Sequence, residues 1–245
     1  MKRRSHGFFV LAAALVLGVV GCYAPGKPKA GLEEKRPEDV LDVATLYGKN
    51  CAACHGDQGR HGAAISLANP VYLSTAKVDN IVRVTSEGVQ GTMMPPFAKS
   101  KGGMLTDQQV AVLAHGMVAA WSKPDALAGQ TPPAYASSTQ GDDANGQKAF
   151  GAYCARCHDA DGTGATVEKI HTGSLVDPAY LSLISDQGLR SIIIAGQPDE
   201  GMPDWRGHAS GGQQRALSDQ EITDIVAWLA AHRVATPGQP YQQHP

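Results

Sequence analysis

The sequence is short of large rings and of long apolar stretches. Aromatic residues make up 6% of its 245 positions. Side chains alone would therefore build a thin core, and a bound group that brings apolar surface would help small domains of this composition close. Charged residues are 18% and hydrophobic residues 42%, ordinary values for a globular chain. The formal charge is −2, which argues against a nucleic-acid partner. The apolar run "GFFVLAAALVLGVV" ends after 14 residues, whereas a membrane span needs about 20. Cysteine is scarce as well: Cys22, Cys51, Cys54, Cys154 and Cys157 are all there are.

The short apolar run follows a basic "MKRR" and ends in "GC", the form of an export signal. "LGVVGC" resembles the lipobox of bacterial lipoprotein signals, which predicts cleavage after Gly21 and lipid modification of Cys22. An ordinary signal peptide with an incidental Cys22, or an uncleaved anchor, is the alternative. Loss of residues 1–21 would leave 18 basic against 23 acidic residues, a formal charge of −5.

The remaining cysteines expose an internal repeat. "CAACHGDQG" at 51–59 is answered by "CARCHDADG" at 154–162, an offset of 103 residues. "NPVYL" at 69–73 and "DPAYL" at 177–181 are 108 apart, as are "MPPF" at 94–97 and "MPDW" at 202–205. "LTDQQVAVLA" at 105–114 answers to "LSDQEITDIVAWLA" at 217–230 with an offset of 112. The order is kept and the offset grows by small insertions, so a unit of about 100 residues has been duplicated in tandem. The expected organisation is a signal at 1–21, a tether at 22–36, one domain at 37–122, a linker at 123–143, a second domain at 144–235 and a tail at 236–245.

Both units read as helical. Val40, Val43, Leu46 and Tyr47 recur at helical spacing behind Pro37, which predicts a helix starting there. "DDANGQKAFGAY" takes the same place in the second unit, with Phe150 matching Tyr47. Ser218 with Glu221, and Thr106 with Gln109, have the spacing of capping boxes ahead of apolar stripes. No alternating strand pattern competes, so the predicted class is all-α.

Three chemistries could use each cysteine pair. A disulfide is possible in an exported protein. Structural zinc would need four ligands, hence both pairs meeting across the repeat. A thioredoxin-like redox pair would want a β-α-β context, which is missing. None explains a histidine directly after the second cysteine, twice. Covalent c-type haem does: two thiols one helical turn apart add across the vinyl groups as thioethers, and the next residue turns its imidazole to the iron. Cys51, Cys54 and His55, and Cys154, Cys157 and His158, are thus candidate residues for two covalently attached haem c groups.

With these motifs in place the chain resembles class I cytochromes c, in two copies that cover nearly all of residues 38–235. The resemblance implies a small helical domain around each haem, and a later axial methionine before a proline. "GTMMPPF" and "EGMPDW" fit, and matching Met-Pro to Met-Pro selects Met94 and Met202, leaving Met93 as packing. The family packs a glycine of the first helix against an aromatic of the last; Gly146 and Trp228 keep that pair. The first unit has Val43 and Gly116 instead, as though the small and large partners had changed helices. The family's proline whose carbonyl holds the proximal imidazole is replaced by Ile65 in the first unit and Gly173 in the second, in a register that the sequence leaves open. Five further histidines, His61, His115, His171, His208 and His232, do not recur between the units and are read as surface or core residues.

What the resemblance implies is an electron carrier with no catalytic residue of its own. It would relay single electrons between redox protein partners, or as a subunit of a membrane oxidoreductase complex, and sit lipid-anchored on the periplasmic side of the bacterial cytoplasmic membrane. A di-haem enzyme, a peroxidase or a thiosulfate-oxidising cytochrome, is the alternative.

Overall fold

The computed structural model describes residues 35–167, 170–207 and 215–234. The expected signal peptide, Cys22, most of the tether, His208 and the tail lie outside the described residues. The chain divides into a unit of residues 1–39 and a unit of residues 40–245. In the first, Pro37–Asp39 form one 3-10 turn, and the Arg36 Nε donates to Asp39 Oδ2 at 3.1 Å.

The second unit holds both repeats. Its first copy runs α1 (Val43–Asn50), α2 (Ala52–His55), α3 (Pro70–Glu87) and α4 (Asp107–Trp121). The second runs α5 (Asp143–Tyr153), α6 (Ala155–His158), α7 (Pro178–Leu183), α8 (Asp186–Ala195) and α9 (Asp219–Ala231). The only strands among the described residues are a two-residue ladder, Thr166–Val167 against Ile170–His171.

The helix expected from Pro37 begins later. Asp42 accepts from Thr45 N at 2.8 Å and caps α1 at Val43; a carboxylate at the N-cap outranks a proline start because it satisfies a free N–H. Both capping boxes form, Thr106 with Gln109 on α4 and Ser218 with Glu221 on α9. Lys77 has φ 58° inside α3 and breaks it in two. The same place in the second copy, 108 residues on, is Ser185, the N-cap between α7 and α8. One architecture therefore appears as a kinked helix in one copy and as two helices in the other.

The close helix crossing survives in both copies. A Cβ on Gly146 of α5 would stand 2.0 Å from the Asp224 carbonyl oxygen and 2.8 Å from Trp228 Cβ on α9. On α4, a Cβ at Gly116 would stand 2.5 Å from Val43 Cγ2 of α1. The small residue has changed helices and the approach remains tight, as the sequence pattern implied. The sequence reading missed Trp121, which supplies the first copy's ring from farther along α4. Trp121 meets Tyr47 edge-on at 5.2 Å and lies against Gly59. Trp228 meets Phe150 at 4.4 Å and lies against Gly162, the repeat partner of Gly59.

The linker is packed along the second copy. Buried Arg190 donates to the Ala134 carbonyl at 2.8 and 3.0 Å, to Thr223 Oγ1 at 3.0 Å and to Asp219. Gln187 reaches the Tyr135 carbonyl at 2.7 Å, and Asp142 N reaches Asp224 Oδ1 at 2.9 Å. Helix α3 packs on α8, so the two copies share an interface.

Candidate functional site

Each C-x-x-C-H stretch sits at a helix junction. Cys51 closes α1 through its N–H to the Tyr47 carbonyl at 2.8 Å, and α2 then carries Cys54 and His55 over one turn. Cys154 closes α5 on the Phe150 carbonyl, also at 2.8 Å, and α6 carries Cys157 and His158. All four described cysteines are free thiols; Cys51 and Cys154 are part-buried, and Cys54 and Cys157 are exposed. Burial, reinforced by the neighbouring thiol, pushes Cys51 up to about 11 and Cys154 up to about 12. Both stay protonated at neutral pH.

Burial also lowers the pKa of both imidazoles, against the hydrogen bond to Ile65 in the case of His55. A neutral ring keeps the nitrogen lone pair that a metal ligand needs. His55 is buried, with Nδ1 2.9 Å from the Ile65 carbonyl oxygen. That contact sets Nδ1 as the donor and leaves Nε2 free to ligate. Tyr47 supports the same turn by donating to the Gly56 carbonyl at 2.9 Å; burial raises its hydroxyl to about 12. The second copy differs. His158 Nδ1 is buried with no hydrogen-bond partner. Gly173 does not take Ile65's role, and the Thr172 hydroxyl beside it bonds the Cys157 and Ala165 carbonyls instead.

The methionine loops are built alike. Gly88 ends α3 at φ 68° and Gly196 follows α8 at φ 66°. In each case a Cβ would run into the backbone after the methionine, 2.6 Å from Pro95 C and 2.5 Å from Pro203 C. Val89 N donates to the Met94 carbonyl at 3.0 Å, and Gln197 N to the Met202 carbonyl at 2.9 Å. Beyond the loops, Phe97 N bonds the Thr85 carbonyl and Trp205 N the Ile194 carbonyl, each at 3.1 Å. Met94 and Met202 thus occupy one backbone position. Met93 is 75% exposed.

The site residues suit haem. Two thiols per copy stand unoxidised on one turn beside a neutral imidazole, buried at His55 and half-buried at His158, and a thioether is carried on a loop closed by its own backbone. Among the described residues, no group of three or more His, Cys, Asp or Glu side chains is arranged to hold a metal ion, so the two cysteine pairs do not meet as a zinc site. No described helix is long and apolar enough to cross a membrane. His61, His115, His171 and His232 join no such group among the described residues; His61 Nδ1 lies 3.5 Å from Glu200 Oε1, at the rim of the Met202 loop.

Two different family models match the two halves of the chain. Residues 144–233 match the cytochrome c family, and residues 38–115 match cytochrome c oxidase, cbb3-type, subunit III. A thiosulfate dehydrogenase of Stutzerimonas stutzeri is 29% identical over 210 residues, 79% of this chain and 64% of that protein. The cbb3-type cytochrome c oxidase subunit FixP of Sinorhizobium medicae is 27% identical over 175 residues, 66% of this chain and 52% of that protein. The chain therefore spans less than two thirds of either relative. Among solved structures, a reducing HAO-like protein complex of Kuenenia stuttgartiensis aligns over 82% of this chain and 100% of that chain, with a TM-score of 0.43 and 17% identity.

Proposed function

From a chain that carries two cytochrome c domains, we propose a lipid-anchored di-haem electron relay on the periplasmic side of the cytoplasmic membrane. One haem c would be held by Cys51, Cys54, His55 and Met94, the other by Cys154, Cys157, His158 and Met202. When bound, haem supplies an iron that takes up and returns one electron. The residues of the chain set the conditions for that exchange. His55 presents a neutral ring whose tautomer is imposed by Ile65. The closed loops at Met94 and Met202 offer a soft, neutral ligand suited to ferrous iron. His55 with Met94, and His158 with Met202, would each offer the iron a nitrogen and a thioether sulfur, ligands that suit both oxidation states. The partners are redox proteins or a membrane oxidoreductase complex, and the anchor is Cys22.

The observation that carries this reading is the shared backbone position of Met94 and Met202, each behind a C-x-x-C-H turn. Mass spectrometry of the mature protein tests the count. Two haem additions and acyl chains on Cys22 are expected, and replacement of Cys154 and Cys157 by Ser should remove one haem only. A mass without haem ends the proposal.

The likeness to a thiosulfate dehydrogenase favours a second reading, oxidation of thiosulfate at one of the two sites. Stopped-flow mixing of the ferric protein with thiosulfate separates the two. The relay reading expects no thiosulfate-dependent reduction and two low-spin ferric signals in electron paramagnetic resonance.

A further inference from the structure

The loop that carries Met202 is held by the other copy of the repeat. Arg60 lies five residues after His55, in the turn that follows the first C-x-x-C-H. Its Nη1 forks onto Asp199 at 2.9 and 3.0 Å, and its Nη2 reaches the Ala68 carbonyl at 3.4 Å. Next in sequence stands Asn69, 3% exposed. Its Oδ1 caps α3 at Val71 N and Tyr72 N, while its Nδ2 donates to the Ala195 carbonyl at 2.9 Å and the Gly196 carbonyl at 3.2 Å. Asp199 lies within, and Gly196 directly before, the segment that Gln197 and Met202 close by a reciprocal pair of backbone bonds at 2.9 and 3.0 Å.

The repeat shows which of these parts are additional. Asp177 answers to Asn69 and caps α7 in the same way. A carboxylate can cap but has no N–H to donate. The first copy uses asparagine, and its extra donors go to the other methionine loop. Gly91 answers to Asp199, so the Met94 loop offers no side chain there for such a fork. Among the described residues the side-chain bracing runs from the first copy to the second.

We propose that Arg60 and Asn69 are positioning residues for Met202: the first domain holds the second domain's methionine loop shut. The inference rests on the reading of Met202 as an axial ligand. A charge-assisted contact from one guanidinium nitrogen to both Asp199 oxygens limits the swing of the loop, and a buried amide ties its base to α3. Opening the loop breaks both, so loss of the thioether at the second site carries a cost that the first site does not share.

The test is an imidazole titration of the ferric, haem-loaded full chain, read by loss of the thioether-to-iron charge-transfer band. Met94→Ala and Met202→Ala assign the two components, each expected to remove about half of the band. If Met202→Ala leaves the band whole, the ligand reading fails, and the positioning role with it. With the assignment made, Arg60→Gln should raise imidazole affinity at the second site about threefold, its bridge being part exposed. Asn69→Ser keeps a capping oxygen, loses the buried amide donors, and should raise it about tenfold. The exchange Arg60→Asp with Asp199→Arg should restore wild-type affinity. Unchanged affinity at the second site, equal loosening at both sites, or no restoration by the exchange each overturns the positioning role.

Discussion

Adding one methyl group at each of the two helix crossings should separate a rigid clash from a yielding one. At Gly146 the new Cβ would meet the Asp224 carbonyl oxygen at 2.0 Å, and that atom belongs to the backbone of α9. Relief requires moving a helix, so Gly146→Ala should cost about 3 kcal/mol or more. At Gly116 the nearest atoms are the two methyls of Val43, at 2.5 and 2.8 Å, on a half-buried side chain. Gly116→Ala should cost about 1–3 kcal/mol in overlap and regain about 1 kcal/mol of helix propensity. Val43→Ala removes the overlap, so the Gly116→Ala, Val43→Ala pair should be favourably coupled by about 1 kcal/mol. Gly151 on α5 is the control: a Cβ there meets nothing within 4 Å, and Gly151→Ala should stabilise by about 0.5–1 kcal/mol. Thermal unfolding of the haem-loaded protein reads these, at about 2–4 °C per kcal/mol for a unit of this size. Gly146→Ala is then expected to melt about 6–12 °C low. If it melts no lower than Gly116→Ala, or if Val43→Ala fails to rescue Gly116→Ala, the account of conserved closeness with exchanged partners is wrong.

Other outcomes follow from single side chains. The Arg215 guanidinium, with help from Ser218, holds the Glu221 carboxyl down at about 2, below an unfolded value of 4.5. The folded group releases its proton more readily than the unfolded one, so its stabilisation is complete above about pH 4.5 and is lost as pH falls toward 2. Melting curves of Glu221→Gln should fall less steeply than wild type across that window; parallel curves would count against the assignment. Arg190→Ala leaves the Ala134 carbonyl without its donor and the Thr223 hydroxyl with only Ser137 and the Asp219 carbonyl, and should destabilise by about 2–4 kcal/mol, with early proteolysis in residues 123–142. The His55 ring donates to Ile65 and is made more basic by it, whereas His158 Nδ1 has no acceptor. Spectroelectrochemical titration should therefore place the first haem at the lower potential; the reverse order, assigned with Met94→Ala and Met202→Ala, would refute the argument.

Much of the site was legible in the sequence because its chemistry is local. Two cysteines and a histidine within five residues lie on one helical turn whatever surrounds them, and α2 and α6 bear that out. Capping boxes are equally local, since a side chain there bonds a backbone group three residues away. The order of matched stretches revealed the duplication, and the Met-Pro pairing gave equivalent candidates because each loop closes on backbone atoms of its own segment. The start of α1 was misplaced for a related reason: Pro37 and Asp42 both carry start signals, and which one prevails depends on the carboxylate reaching Thr45 N.

Tertiary structure decided whatever depends on groups far apart in sequence. Trp121 and Trp228 fill matching places from different helical positions, because what packing holds fixed is the ring against Gly59 or Gly162 and not the residue that bears it. Whether Ile65 or Gly173 accepts from an imidazole depends on the path of a loop, and the two copies took different paths. The bracing of the Met202 loop by Arg60 and Asn69 joins residues more than 120 positions apart. By itself, the sequence determined the C-x-x-C-H turns, the helices and the repeat, all of which rest on neighbours along the chain. Which copy supports the other was decided only when α3 settled against α8, because a hydrogen bond across that interface exists only once both helices are in place.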